Sequence, residues 1–392
     1  MKKLLIVLTL CSLVLAGCGN TDETGKVVET IVNDISMYDR AASLLDEAYD
    51  ANRGNNVVVS PLSLNTGLSL LSEGANSNTK DELRSYLCKD TYNFDAGEYM
   101  RIINSVDGID MANSIWVNKN IELVESFKST AKASYLADIN SVSFETAYLD
   151  NTVKDMNNWA KEKTNGLIPN IVKRDDLTKD TSAVLINSLY FKSAWTEELY
   201  VSESKFKDIN AREILTDMLS GEVKYYYENE HAKAFSKEYE NGIKFIGILP
   251  NEEKEFTVAS LDLQSLFDYK TDAYKVMVSM PKISVDFTMS NVANALKKEG
   301  VSSVFDPSTS NLSGIVKDSA YVSNIVQRCK VELDEKGTEA AAVTTITMVG
   351  NSIPTEDNKK TKKIDLNRPF VFMIYDEENE QILFMGKTVT IE

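Results

Sequence analysis

Residues 331–354, with the sequence VELDEKGTEAAAVTTITMVGNSIP, constrain the fold of this chain more than any other stretch. After Glu339 no charged residue occurs for sixteen positions, and within that gap three alanines precede residues 343–349. Those residues are small, β-branched and uncharged, which is typical of a central strand, and a window with no charge and no proline is also aggregation-prone. A polar loop with Gly350 and Pro354 follows at once. A strand-like segment that runs directly into a long polar loop predicts a segment with two possible states.

Size and charge limit the classes of function. The chain has 392 residues, of which 43% are hydrophobic, so it can bury a sizeable core. Its formal net charge of −17 argues against a nucleic-acid partner, because phosphate backbones attract basic surfaces. The only dense basic run, residues 359–363, is interpreted as part of a solvated loop.

The N-terminus has the pattern of a processing signal. Lys2 and Lys3 precede an apolar stretch at 4–15, which is shorter than the about 20 residues that span a bilayer. The sequence Leu-Ala-Gly-Cys that ends at Cys18 resembles a bacterial lipoprotein signal, so we expect a signal peptide at 1–17 and lipidation of Cys18. An ordinary secretory signal is the alternative. Two acyl chains would hold the protein at the extracellular surface, with residues 18–34 as an acidic tether and the lipid as the only membrane contact.

The inventory of reactive side chains disfavours an enzyme. His231 is the only histidine, its surroundings are polar, and we expect it at the surface. No nucleophile elbow, zinc-protease motif or phosphate loop is present, and no spacing indicates a metal or cofactor site. Beyond the signal region only Cys88 and Cys329 remain, which we interpret as free, partly buried thiols, with a disulfide as the alternative.

Hydrophobic periodicity predicts an α+β fold, because many strands alternate with helices without a regular βαβ rhythm. Ser60 and Pro61 are expected to open a helix as N-cap and first residue. A capping box at 79–82 predicts another helix start, and residues 241–242, Asn-Gly, predict a type I′ hairpin. Helices are predicted at 36–52, 62–71, 79–87, 152–163 and 290–299, and strands at 57–59, 111–117, 183–191, 222–227, 233–239, 243–249, 274–280, 369–375 and 381–387.

The segment at the start of the two-state stretch resembles the hinge of inhibitory serpins almost letter for letter. An ordinary buried strand after a tight turn is the alternative interpretation. The matching residues are Glu335, Lys336, Gly337, Thr338, Glu339, Ala340, Ala341 and Ala342.

Four further stretches resemble serpin motifs in the family's order. Residues 56–63, with Ser60, Pro61 and Ser63, resemble the shutter, and residues 186–195 resemble the strand that leads to the breach tryptophan, here Trp195. The family's short motif before the fifth strand of the main sheet is matched by residues 311–314. Its C-terminal signature is matched by residues 368–375 together with 382–387. The resemblance implies a serpin fold over 35–392, with large mixed β-sheets, about eight or nine helices and an exposed reactive-centre loop at about 335–366.

One position departs from the family pattern. Where serpins usually carry a shutter histidine that bonds an asparagine, matched here by Asn187, this chain has Gln327. A glutamine amide both donates and accepts, so the hydrogen bond to Asn187 is expected to persist. Because glutamine gains no charge near neutral pH, pH sensing at this position is not expected.

The resemblance implies a suicide inhibitor. A serine or possibly a cysteine protease attacks the loop, and the cut hinge inserts into the main sheet as a new strand, which traps a covalent acyl-enzyme. Alternation along an inserted strand would turn small or apolar residues inward. The glutamate at 335 resembles one that pairs with a lysine at the loop base, and the inhibitor is expected to be a monomer. The inward residues would be Thr338, Ala340, Ala342, Thr344, Ile346 and Met348.

The family's usual spacing places the cleaved bond between Asn351 and Ser352, with Met348, Val349 and Gly350 as alternative positions. Because no arginine or lysine lies near this bond, elastase-like or subtilisin-like targets are favoured over trypsin-like ones. Residues 359–366 would make the loop longer than usual. The rival functions are a non-inhibitory surface serpin whose loop is cut as a plain substrate, and a surface adhesin or solute-binding lipoprotein.

Overall fold

Three β-sheets and eight α-helices make up the part of the chain that the structure describes. The computed structural model describes residues 36–87, 95–289, 292–338 and 359–391. The α-helices are α1 (Met37–Asp50), α2 (Pro61–Gly74), α3 (Ser77–Leu87), α4 (Ala96–Ile103), α5 (Glu125–Tyr135), α6 (Leu149–Lys163), α7 (Leu263–Asp268) and α8 (Val292–Lys298).

The strands, in chain order, include three of only two residues, β5, β11 and β15. Their bounds are β1 (Val57–Val59), β2 (Ile109–Asn118), β3 (Asp138–Val142), β4 (Ala183–Phe191), β5 (Ser193–Ala194), β6 (Tyr200–Lys207), β7 (Glu213–Val223), β8 (Tyr225–Glu228), β9 (Ala232–Glu238), β10 (Lys244–Pro250), β11 (Lys270–Thr271), β12 (Tyr274–Pro281), β13 (Ile283–Met289), β14 (Val322–Leu333), β15 (Gly337–Thr338), β16 (Lys360–Asp365), β17 (Phe370–Asp376) and β18 (Gln381–Thr388).

Each sheet has a distinct strand order. The main sheet runs β3-β2-β4-β14-β15-β5, with β13 also paired to β14. The core sheet runs β1-β18-β17-β10-β9-β8-β11, and the small sheet runs β16-β12-β7-β6. All residues of β17 are buried, as expected for a strand covered on both faces. The prediction of an α+β fold with large mixed sheets is confirmed.

The predicted start of α2 is also confirmed. The side chain of Ser60 accepts a hydrogen bond from the backbone N–H of Ser63 at 3.2 Å, and Pro61 is the first helical residue. Proline fits there because the first N–H of a helix has no intrahelical partner.

The predicted capping box at 79–82 is wrong, because α3 begins two residues earlier, at Ser77. Thr79 is buried inside the helix, where its Oγ1 accepts from the backbone N–H of Asn311 at 3.0 Å. The Glu82 carboxylate accepts from the N–H groups of Ser302 and Ser303, each at 2.7 Å. Both side chains serve a segment that is distant in sequence, so a local motif misidentified their partners.

Two predictions about neighbouring strands need correction. The predicted strand at 222–227 divides at Lys224, because β7 belongs to the small sheet and β8 to the core sheet. The hairpin between β9 and β10 exists, but its turn is not type I′, since Gly242 has φ +85° while Asn241 has a negative φ. The Gly242 N–H bonds to the carbonyl of Tyr239 at 3.0 Å, which gives a type I turn followed by a left-handed glycine.

The lysine-rich run at 359–363 is largely a strand, which corrects both the loop boundary of 335–366 and the solvated-loop interpretation. Residues Lys360–Asp365 form β16, paired in parallel with β12. Ile364 and Leu366 are 1% and 0% exposed, and the Lys362 ammonium lies 4.7 Å from the centre of the Tyr226 ring. Alternate residues therefore face inward from 362 to 366, a pattern that the intervening lysines obscured in the sequence.

The predicted signal peptide and tether at 1–34 lie outside the described residues. The described residues from Ser36 onward belong to one compact unit. None of the helices within the described ranges is long and apolar enough to span a bilayer.

Candidate functional site

The two central strands of the main sheet are paired along only part of their length. Strands β4 and β14 run parallel and pair from Ala183 with Val322 to Asn187 with Gln327, a region that we call the closed segment. Beyond it, the described ladders join residues 188–191 only to β2, and residues 328–332 only to β13. We call the unpaired region between residues 188–192 and 328–332 the slot.

Residues Gly337 and Thr338 of the predicted hinge close the far end of the slot as strand β15. Thr338 is paired with Leu333 of β14 on one side and with Ser193 of β5 on the other, antiparallel to both. Gly337 has φ +152°, and a Cβ there would lie 2.2 Å from the carbonyl oxygen of Ser193, so the position requires glycine. The third and fourth hinge residues therefore already form a short strand between β14 and β5.

Thr338 contacts Tyr239, which in turn stacks on Trp195. It is 2% exposed, and its hydroxyl lies 2.6 Å from the hydroxyl of Tyr239. The ring of Tyr239 stacks on Trp195 with 4.1 Å between centroids. Burial raises the pKa of Tyr239 well above its ordinary value, so this phenol stays protonated and can donate to Thr338.

Trp195, which resembles the breach tryptophan of the family, holds the turn at residues 334–337 in which the hinge starts. Its indole Nε1 donates to the carbonyl of Asp334 at 3.0 Å, and its backbone N–H donates to the carbonyl of Lys336 at 2.8 Å. The Asp334 carboxylate accepts from the N–H groups of Lys336 and Gly337 at 2.8 and 3.2 Å, which tightens the same turn.

Glu335 pairs with a lysine, and the prediction for this residue is confirmed. Lys282 lies between β12 and β13, and its ammonium is 3.1 Å from a Glu335 carboxylate oxygen and 3.4 Å from one of Asp217 on β7. The backbone amide of Glu335 and the Lys282 ammonium hold the pKa of this carboxyl below its ordinary value. Lys282 and Asp217 were not predicted, because only tertiary structure brings β7 and β13 to the base of the loop.

Gln327 is where the structure departs from the sequence prediction. Its Oε1 accepts from the backbone N–H of Ser60 at 2.9 Å, and its Nε2 donates to the carbonyl of Ser60 at 2.8 Å. The expected bond to Asn187 is absent, since the Asn187 amide donates to Asn113 and its Oδ1 has no partner. Both side chains lie toward α2, where Gln327 bonds the backbone of Ser60 and the Asn187 amide lies against Gly67.

The remaining predicted residues divide into those that the structure describes and those that lie outside it. Cys329 is a free thiol that is 3% exposed, and burial raises its pKa, so it is unreactive. His231 is exposed. Within the described ranges, no group of three or more histidine, cysteine, aspartate or glutamate side chains could hold a metal ion. The calls outside the described residues are Cys18, Cys88, Glu339, Ala340, Ala341, Ala342, Thr344, Ile346, Met348, Val349, Gly350, Asn351 and Ser352.

Comparisons with known proteins agree with this geometry. The family model described as "Serpin (serine protease inhibitor)" matches residues 36–391. Serpin-Z10 of Arabidopsis thaliana is 29% identical over 379 residues, which cover 86% of this chain and 92% of that protein. Alpha-1-antiproteinase of Rattus norvegicus is 26% identical, with 90% of this chain and 88% of that protein covered.

Among solved structures, the thermophilic serpin tengpin in its native state superposes with a TM-score of 0.78 at 26% identity. The match covers 95% of this chain and 97% of tengpin. The family model spans every described residue. The chain therefore belongs to the serpin family, whose members are generally protease inhibitors.

Proposed function

We propose that this protein is an inhibitory serpin that traps a serine or a cysteine endopeptidase as a covalent acyl-enzyme. The observation that carries the proposal is the slot, which the first hinge residues enter at one end and the closed segment bounds at the other. An inserted strand would gain ladder hydrogen bonds from two neighbours at once. That gain is the driving force for pulling a bound protease away from the loop base.

The register of Thr338 defines which residues would enter the slot. If the chain continues antiparallel to both neighbours, Ala340 comes opposite Phe191 and Val331, and Ala342 opposite Leu189 and Cys329. All four of those neighbours are buried. The methyl groups of alanine suit this inner face, whereas a charge there would be buried without a partner.

The same register assigns Glu339 and Ala341 to the outer face. The outward neighbours on β14 are Lys330 and Glu332, which form an ion pair at 2.9 Å and are partly exposed. A glutamate at 339 would therefore remain in contact with water. Residues 339–343 would fill the slot without breaking any existing ladder, and from Thr344 onward insertion must separate the closed segment, beginning at Gln327.

The cleaved bond is proposed to lie between Asn351 and Ser352, with Met348 to Gly350 as the alternative region. An uncharged segment favours elastase-like or subtilisin-like proteases. We further propose that lipidated Cys18 anchors the inhibitor at the bacterial cell surface, so that its target is extracellular. Mass spectrometry of the mature N-terminus tests the anchor independently of inhibition.

The test of inhibition is a denaturing gel of the protein after incubation with a panel of serine and cysteine proteases. The mass of the released C-terminal peptide is measured in parallel by mass spectrometry. We expect a band that survives detergent at the summed mass, and a peptide mass that identifies the bond. A control with the protease inactivated at its nucleophile should give no such band. Cleavage by every protease without a stable complex would refute the inhibitor and favour the plain-substrate alternative.

A further inference from the structure

One lysine in the core sheet is buried without a counter-charge. Lys237 on β9 is 6% exposed, and it forms no hydrogen bond or ion pair with any described residue. Its closest specific partner is the ring of Trp195, with the ammonium 5.5 Å from the centroid. Burial lowers the pKa of Lys237, and the exposed Glu197 compensates only in part. The stem of this lysine is therefore buried while its ammonium reaches the cavity beside it, with no carboxylate at ion-pair distance.

Lys237 lines a cavity that is large enough for a small molecule. The cavity measures about 420 Å³, within the range of about 300–1,000 Å³ that is usual for small-molecule sites. Its wall includes Val223, the half-buried ring of Tyr225 and the buried Ser236, so it offers apolar surface and a hydroxyl beside the ammonium.

The other charges of the cavity define what kind of anion fits. Three lysines and three glutamates line it, but Lys244 is paired with Glu377 and Glu222 with Lys275. The charged groups that remain are Lys224 and Lys237 against Glu197 and Glu238, and all of these except Lys237 are exposed. The exposed glutamates would repel a doubly charged phosphate more strongly than a singly charged carboxylate. A single negative charge is enough to balance the Lys237 ammonium.

We propose that this cavity binds a small organic monocarboxylate whose carboxylate pairs with Lys237 and whose carbon chain lies against Val223 and Tyr225. The site is separate from the slot and does not depend on protease inhibition. The site adjoins Trp195, whose indole also holds the turn in which the hinge starts. A bound carboxylate would therefore alter the surroundings of this indole.

The test is a titration of the protein with acetate and with butyrate at constant ionic strength, followed by tryptophan fluorescence and by calorimetry. We expect saturable binding with a Kd of about 1 mM or tighter, a range that both methods resolve. Butyrate should bind more tightly than acetate, because its longer chain covers more of the apolar wall. Inorganic phosphate is the comparison anion and should bind more weakly than either.

The matched variants are Lys237→Met and, as a control, Lys205→Met, since Lys205 is exposed and paired with Glu213. Lys237→Met should lose at least tenfold in carboxylate affinity and should fold, because methionine keeps an apolar chain in the place of the buried lysine stem. Lys205→Met should bind as the wild type does. Equal binding by Lys237→Met, no saturable binding by the wild type, or tighter binding of phosphate would each overturn the proposal. If Lys237→Met does not fold, Lys237→Gln replaces it.

Discussion

Strands β4 and β14 form both the closed segment and the slot, but the two strands are hydrogen-bonded to each other only in the closed segment. In the closed segment the outward residues Ile186 and Val326 are buried in an apolar cluster with α6. In the slot the outward residues of β14 are Arg328, Lys330 and Glu332, which are only partly buried. The Arg328 guanidinium forms a bidentate ion pair with the Asp286 carboxylate on β13, and both N–O distances are 2.8 Å.

This difference explains why β4 and β14 pair with each other in the closed segment and not in the slot. A strand pair that is covered by apolar side chains on both faces gains from staying closed. A pair whose outer face carries charged side chains lacks that gain, and it leaves a position that another strand can take. The boundary falls between Val326 and Arg328, at Gln327, whose side chain is fastened to the start of α2.

The largest predicted effect contrasts the two faces of an inserted hinge. Ala342→Glu would place a carboxylate against buried Leu189 and Cys329, at a cost of several kcal/mol, and should abolish the detergent-stable protease complex. Its matched control, Ala341→Glu, would place the same charge on the outer face beside Lys330. We expect the control to retain most of its complex on a denaturing gel, with the complexed fraction as the measurement.

Three results would contradict this prediction. Loss of the complex in both variants would mean that any charge in the hinge is harmful, and retention in both would mean that the hinge does not insert. The reverse order, with Ala341→Glu the more damaging, would shift the register by one residue, because a one-residue slip exchanges the two faces.

The second prediction concerns the boundary itself. Gln327→Leu removes both hydrogen bonds to Ser60. The Ser60 carbonyl still accepts from the Leu64 N–H at 3.2 Å, so only the buried Ser60 N–H is left unsatisfied, which costs about 1–3 kcal/mol. We expect a lower midpoint of denaturant unfolding and a faster spontaneous loss of inhibitory activity on storage. Gln264→Leu, on the exposed face of α7, is the control and should change neither. An unchanged midpoint for Gln327→Leu would show that these bonds do not stabilise the closed segment.

The smallest predicted effect is at the loop base. Because the pKa of Glu335 is lower in the folded protein, its pair with Lys282 stabilises the fold above pH 4.5, the ordinary value for a glutamate. That contribution is lost as pH falls through the lowered pKa. The two side chains are 42% and 29% exposed, so the pair is worth less than about 1 kcal/mol.

Lys282→Met should therefore unfold slightly more easily than the wild type at pH 7, and the difference should shrink below pH 4.5. The measurement is the unfolding midpoint of both proteins across this range. Lys275→Met, which removes the exposed pair with Glu222, serves as the control for a general charge effect. A difference that grows on acidification would contradict the assignment.

Much of the fold followed from local patterns. The serine–proline start of α2 and the bounds of β4 were predicted, because periodicity and end signals are encoded in adjacent residues. The failures involved side chains whose partners lie far away in sequence. Thr79 and Glu82 imitate a capping box but bind residues 302–311, and Gln327 bonds a residue 267 positions away instead of its neighbour across the ladder.

The sequence by itself determined the family, the hinge and the inner and outer faces of the segment that would insert, because alternation and motif order are local properties of the chain. Only the tertiary structure decided that β4 and β14 part at Gln327, that Lys282 meets both Glu335 and Asp217, and that Lys237 lines a cavity with no carboxylate at ion-pair distance. Those facts depend on which strands become neighbours and which charges packing excludes from water, and no local pattern specifies either.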